Sequence, residues 1–268
     1  MLKIKFKLIL IFLFVSTFSL SNKVKSNLLS YNSEYEISLG DSSTVRVPGK
    51  TYVDKASGQL FIDWINVCDK SWVTNQRMMT RFINSYGVGT VSEINYSLNE
   101  KEDGSKMDYV LEIKEDAMLQ QRIIGNAEIG QNLIVKFPEN EKKDLTFSND
   151  IIFPHKFLKE IIKNFDSNKK MLVKKVYEGT IPDKFFNISV FFTDEIIKES
   201  DIELPKNIIN QFRKIKMSYY QDNEQVPIFE QTLHLNKQGI ASYFKYDYPD
   251  YSLVLKIKKL SQVNLDCN

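Results

Sequence analysis

The chain has 268 residues, of which 43% are hydrophobic, 26% charged and 12% aromatic, enough apolar material for a sizeable core and too balanced a mixture for a disordered tract. Thirty-six Lys and Arg face 34 Asp and Glu for a formal charge of +2, and without Lys3, Lys5 and Lys7 the balance falls to about −1. A nucleic-acid role therefore lacks electrostatic support, and the runs at Lys142-Lys143, Lys169-Lys170 and Lys256 to Lys259 read as solvated faces.

The chain opens MLKIKFKLILIFLFVSTFSLS, three lysines ahead of an apolar run from Leu8 to about Phe18 and then small residues. This is the pattern of a secretory signal peptide, residues 1–21, with cleavage expected near Ser21 and Asn22. The run is short for a membrane span, which needs about 20 apolar residues, and no later segment supplies one. No cysteine sits at the expected cleavage point to take an acyl anchor. The expected product is a free, exported chain of residues 22–268. It carries no Pro/Gly/Ser-rich linker and no internal repeat, so one domain is the simpler account.

Alternation of apolar and polar residues then dominates. Tyr35, Ile37 and Leu39 alternate with Glu34, Glu36 and Ser38, and the spacing predicts a half-buried strand. The same reading predicts strands at 59–67, 72–83, 90–98, 107–114, 122–129, 133–137, 185–192, 215–220, 228–235, 241–246 and 252–258. Ser57-Gly58, Asp103-Gly104, Gly130-Gln131, Asp222-Asn223 and Gln238-Gly239 read as hairpin connections. One segment departs from the period of two. Phe157, Leu158, Ile161, Ile162 and Phe165 recur at helical spacing behind Pro154, which predicts a helix over about 154–168 with its apolar stripe on the sheet. A dozen or more strands around one helix make a mainly β fold. A sheet of that size must curl.

The two cysteines, Cys68 and Cys267, lie in an exported chain, where a pair oxidises and persists. Pairing is the default reading, and the spacing fits no CxxC redox motif.

Signals for catalysis are thin. His155 opens the expected helix, His234 sits in an alternating strand, and Asp63 flanks Trp64; each is a conceivable acid or base, and a surface or structural role is the commoner one. No residues with metal-ligand spacing and no phosphate loop are present, so no cofactor is expected. The aromatics are the surplus: Trp64, Trp72 and Tyr86 are expected to gather round the first cysteine, and most of the rest to fill the core. An apolar groove for an acyl chain or an extended peptide is the residual use for them.

The stretches FIDWINVCDKSWVTNQRMMTRF, SKMDYVLEIKEDAMLQQRIIGNAEIG, DIIFPHKFLKEIIKNF with its following VYEG, and YSLVLKIKKLSQVNLDC stand in the order found in the EipB family of periplasmic cell-envelope integrity proteins, which the chain resembles from about Tyr31 to Cys267. The resemblance implies a β-spiral, an antiparallel sheet wound around a helix, clasped by a disulfide between Cys68 and Cys267. It also implies a periplasmic, non-enzymatic role in envelope maintenance in alphaproteobacteria. The family pattern carries a glycine close behind the first cysteine; here Asp69-Lys70-Ser71 leads to Trp72, which implies a longer turn. The spiral is similar in shape to periplasmic lipoprotein carriers, an analogy of fold alone.

The expected function is support of the envelope by binding an envelope protein, a peptide or a lipid, in a monomer without nucleic-acid partners. A LolA-like carrier of lipid or acylated protein is the second reading, and a cell-wall hydrolase is a distant third.

Overall fold

Period-two alternation becomes an unbroken antiparallel run through most of the chain, because each strand has one apolar face to bury and a turn short enough to pair it with its successor. The structure, a computed structural model, describes residues 28–41, 50–139, 143–167, 169–221 and 224–267. Ser21, Asn22 and the Asp222-Asn223 turn lie outside them. The strands are β1 (Tyr31–Gly40), β2 (Val53–Val67), β3 (Ser71–Asn84), β4 (Gly89–Lys101), β5 (Lys106–Glu115), β6 (Met118–Ile129), β7 (Leu133–Lys136), β8 (Leu145–Phe147) and β9 (Ile151–Ile152). Helix α1 (Pro154–Lys163) interrupts the series. It continues with β10 (Met171–Val176), β11 (Phe186–Ile197), β12 (Phe212–Gln221), β13 (Phe229–Leu235), β14 (Ala241–Asp247) and β15 (Ser252–Gln262).

All fifteen form one sheet in the order β8-β7-β6-β5-β4-β3-β2-β1-β15-β14-β13-β12-β11-β10-β9. Its middle is the pairing of β1 with β15, which joins the two halves of the chain. Its two edges, β8 and β9, are separated by only Ser148 to Asp150, so the sheet curls until its ends nearly meet. A shared core closes the seam: Leu133 and Val135 of β7 pack in one cluster with Ile151, Phe153 and Tyr177. Tyr109 fastens it, because its ring lies where a Cβ on Gly125 or Gly179 would stand, 2.2 and 2.4 Å from its atoms, and its hydroxyl is 2.7 Å from that of Tyr177.

The structure departs from the sequence reading at Ser57-Gly58, at three short strands and at the end of the helix. Ser57-Gly58 is no turn: both residues lie inside β2, and Gly58 is there because a Cβ would come 2.1 Å from the Met79 carbonyl oxygen of β3. The turn after Cys68 runs over three residues, Cys68 to Lys70. Cys68 and Asp69 both take left-handed backbone, with φ of 54° and 56°, so Lys70 N–H donates to the Val67 carbonyl and β3 starts at once. Asn66 Oδ1 accepts from Asp69 N–H at 2.7 Å, which steadies that conformation. Finally, β8, β9 and β10 were not anticipated from the sequence, and the helix stops at Lys163.

Cys68 and Cys267 form a disulfide with their Cα atoms 5.5 Å apart. The tail that carries Cys267 is also held by Val263 N–H on the Ser30 carbonyl.

Two outcomes follow for stability. Cys68→Ser or Cys267→Ser lowers thermal stability under oxidising conditions, by at most roughly 5 kcal/mol for a loop of 199 residues, while reduced wild type and variants unfold together; a wild type whose unreduced, unfolded form shows free thiols contradicts this. Gly125→Ala drives a methyl into the Tyr109 ring and costs about 1–3 kcal/mol, read as a lower denaturation midpoint at unchanged slope.

Candidate functional site

Long strands and one short helix leave the curled sheet with two unlike ends. Cross-strand register shows the contrast. At one end the inward row Trp72, Glu100, Met107 and Ala127 runs across β3 to β6, and all four are buried. Six residues along the same strands, the inward row Met78, Ile94 and Ile113 is only half-buried.

Helix α1 makes the difference, since it crosses the first end. Its N-terminus has no side-chain cap of its own, with Phe153 at the N-cap and Pro154 next. Glu100 of β4 supplies the cap from across the core: its carboxylate accepts from His155 N–H at 2.7 Å and from Lys156 N–H at 3.0 Å, where the helix dipole also favours a negative charge. Glu102 binds the next turn, accepting from Lys159 Nζ and from Trp72 Nε1. At the other end of the helix segment Arg213 of β12 donates to the Phe165 carbonyl, and Phe157, Ile161 and Phe165 pack on β11 and β12. This end is plugged.

His155 stands inside the plug, 1% exposed. Its ring stacks on Trp72 at 4.5 Å and meets Trp64 at 5.5 Å. Burial first, and then the Lys159 charge, lower its pKa to about 2, so it is a neutral ring in an aromatic stack. Burial pushes Glu100 the other way, up to about 7, against the pull of its two backbone donors.

The opposite end is rich in aromatic rings and less completely covered. Tyr219 stacks on Phe229 at 4.1 Å, contacts continue from Phe229 to Tyr246 and Tyr248 and from Tyr246 to Phe244, and Phe244 in turn meets Tyr35. Phe229, Phe244 and Tyr246 keep part of their surface accessible, as do Phe82 and Tyr96 on the facing strands. A groove of about 450 Å³ of mixed polar and apolar character, lined by Asp41, Val226 to Glu230, Lys245, Asp247 to Pro249 and Ser252, indents the rim. We call this partly covered inward face a cup, with α1 covering the other end.

The residues singled out from sequence scatter over this frame. Asp63 faces outward on β2 and accepts from Asn32 at 2.8 Å. His234 is half-buried on the outer face of β13, its ring against Tyr243 at 4.5 Å, and burial lowers its pKa to about 4. With His155 inside the plug, the three have separate neighbours and form no shared acid-base site. Tyr86 is 70% exposed in the β3–β4 turn, at the far end of β3 from Trp72, so it does not join the tryptophans beside Cys68. Among the described residues no group of three His, Cys, Asp or Glu is placed to hold a metal, and no helix is long and apolar enough to cross a membrane. The cup-lining residues went unrecognised because an inward apolar residue reads alike whether covered or open.

Comparison with known proteins agrees with the fold. A family model described as EipB-like matches residues 22–264. The cell envelope integrity protein EipB of Brucella abortus (strain 2308) is 20% identical over 244 residues, which cover 87% of this chain and 84% of that protein. A crystal structure of a beta-barrel-like protein of a domain of unknown function, also from Brucella abortus, superposes with a TM-score of 0.80 at 19% identity, covering 88% of this chain and 99% of that one.

The plug makes a pH prediction. Glu100 titrates at 4.5 when unfolded and at about 7 in the fold, so the native chain holds the extra proton between those values and gains stability as pH falls through that window, by roughly 3 kcal/mol in all. His155, titrating at 6.5 unfolded and about 2 folded, withdraws stability as pH falls below 6.5, and so opposes it. Comparing variants isolates Glu100: Glu100→Gln is destabilising, and more so at pH 5 than at pH 8, by about 2–3 kcal/mol. Denaturation curves at the two pH values check this, and a difference that does not change with pH contradicts it.

Proposed function

We propose, on the footing that this chain belongs to the EipB-like family, that it is an exported, non-enzymatic binding protein that supports the integrity of the cell envelope from the periplasm. The 20% identical relative from Brucella abortus carries the name of a cell envelope integrity protein; the extension of that role to this chain is our reading. The supporting observation is the cup. The inward face of β3 to β5 goes from buried at Trp72, Glu100 and Met107 to half-buried at Met78, Ile94 and Ile113, so apolar side chains that elsewhere make core here line an opening, where a lipid, an acylated protein or an apolar peptide segment would complete the burial.

The carrier reading, in which the cup shields such a cargo in transit, draws on the same feature. A scaffold that only holds an envelope partner would not need an apolar interior kept open. Catalysis draws no support from Asp63, His155 or His234, which stand apart.

Native mass spectrometry of protein taken from the envelope of its own cells tests the cup: it should carry acyl-containing adducts. The same protein, stripped, should take up the apolar fluorophore N-phenyl-1-naphthylamine at one site. Ile94→Asp, which puts a charge among Met78 and Ile113, should weaken uptake by about tenfold or more, since desolvating a carboxylate beside an apolar ligand costs at least about 1.4 kcal/mol. Uptake equal in wild type and variant would place the fluorophore elsewhere and remove the cup as the binding surface.

A further inference from the structure

We propose that the end of the sheet opposite α1 docks on a zwitterionic lipid bilayer through the apolar tips of the β3–β4 and β5–β6 hairpins.

The hairpin turns divide by end. Those at the α1 end expose polar side chains: Asp69 and Lys70 after β2, Asp103 after β4, Gln131 and Asn132 after β6, and Lys237 after β13. At the opposite end the β3–β4 turn exposes Tyr86 and Val88, and Val91 follows near the start of β4. The β5–β6 hairpin goes further. Its register shifts between Ile113 and Lys114, so that Gln121 pairs with the first and Leu119 with the second, and such a bulge breaks the alternation that hides every other residue. Met118 and Leu119 are exposed in succession, at 65% and 56%. The two turns are also joined: Asp116 N–H donates to the Val91 carbonyl at 2.8 Å, and the Asp116 carboxylate accepts from Val91 N–H at 2.8 Å. Five large side chains are thus exposed in one sector of the rim.

A tip that enters a bilayer interface has to satisfy its own backbone donors. The β3–β4 turn does so. Asn84 Oδ1 accepts from Tyr86 N–H at 2.9 Å and from Val88 N–H at 3.0 Å, and the Asn84 carbonyl accepts from Gly87 N–H at 2.9 Å, while Gly87, at φ +80°, makes the reversal. Tyr86 adds a ring with a polar end, which suits the head-group level. Charge decides the kind of lipid. Lys55, Arg81 and Lys114 stand just behind the tips, as cross-strand partners of Ile83, Val91 and Leu119, and Asp54, Glu115 and Asp116 of the same sector balance them. An apolar tip backed by both signs of charge complements head groups that carry a phosphate and an ammonium together, and it has no net attraction for an anionic surface. Docking does not depend on a ligand in the cup, but it turns the less covered end of the interior toward the lipid.

Flotation with phosphatidylcholine vesicles of the chain freed of residues 1–21 tests the proposal. The protein should float with them equally at low and high salt, since a balanced sector leaves no net attraction to screen. Replacing Met118→Asp and Leu119→Asp together should lower partitioning by about tenfold or more, and Gln131→Asp, at the α1 end, should leave it unchanged. Tyr86→Trp puts a reporter at the tip, which decides the matter should the double substitution fold poorly: vesicles of brominated lipid should quench it and should spare Gln131→Trp. Absence of flotation, flotation that survives the double substitution, flotation lost in high salt, or a Tyr86→Trp reporter that is not quenched overturns the bilayer as partner. So does a dimer in place of flotation that the double substitution dissociates, which makes a second copy the occupant. Uptake of N-phenyl-1-naphthylamine without flotation removes the docking and leaves the cup; flotation without uptake does the reverse.

Discussion

A sheet of fifteen strands can curl until its edges approach, but it cannot fill the space it encloses, and an unfilled interior would leave one whole apolar face wet. The interaction on which the rest depends is the grip of Glu100 on the first turn of α1. Two orphan N–H groups of the helix, at His155 and Lys156, meet the two oxygens of one buried carboxylate. Pro154 has no N–H to satisfy, and Phe153 offers no side-chain oxygen, so without Glu100 the helix would enter the core with bare donors. With it, α1 is bolted to β4, and the strands that flank β4 acquire a floor to pack on.

The other features of that end are consequences of this bolt. Trp72 is paired with Glu100 across β3 and β4, so its ring lies beside the helix entry and stacks on His155. The turn at Cys68 and Asp69 hangs from the same strands, and Glu102 N–H bonds back to the Lys70 carbonyl. The disulfide from Cys68 to Cys267 then ties the end of β15, past its pairing with β1, to the plugged end of the molecule. The two halves of the chain are thus joined twice, by the β1–β15 ladder and by a covalent link close to the helix entry, which is where a curled sheet is otherwise free to splay.

The sheet was largely legible because half-buried antiparallel strands write alternation directly into sequence, and the helix because Phe157, Leu158, Ile161 and Phe165 keep a period that no strand can. What escaped had a physical cause in each case. Strands β8 and β9 have three and two residues, too few to show any period. In β10 the pattern is inverted: Met171 and Val173 point outward and are half-exposed, while Lys174 points in and reaches Glu160 of the helix at 3.8 Å. Gly58 mimicked a turn because close approach of two backbones and a reversal of direction both call for glycine. The disulfide partners were legible from their number alone. The cap on α1 was not, since Glu100 and His155 are 55 residues apart in sequence and only the fold brings them together.

The open cup follows from a mismatch of lengths. At about 1.5 Å per residue the ten residues of α1 extend some 15 Å, whereas β2, β3 and β4, with 15, 14 and 13 residues, run for roughly 45 Å at about 3.3 Å each. A helix laid across one end can cover only a fraction of such walls. Evolution could have trimmed the strands or filled the remainder with side chains; instead the far half of the interior keeps Phe229, Phe244, Tyr246 and Ile94 partly accessible. Surplus wall length with a partly accessible apolar lining is poor economy for a fold that only has to be stable. Under the proposed binding role, an apolar ligand would supply the missing burial.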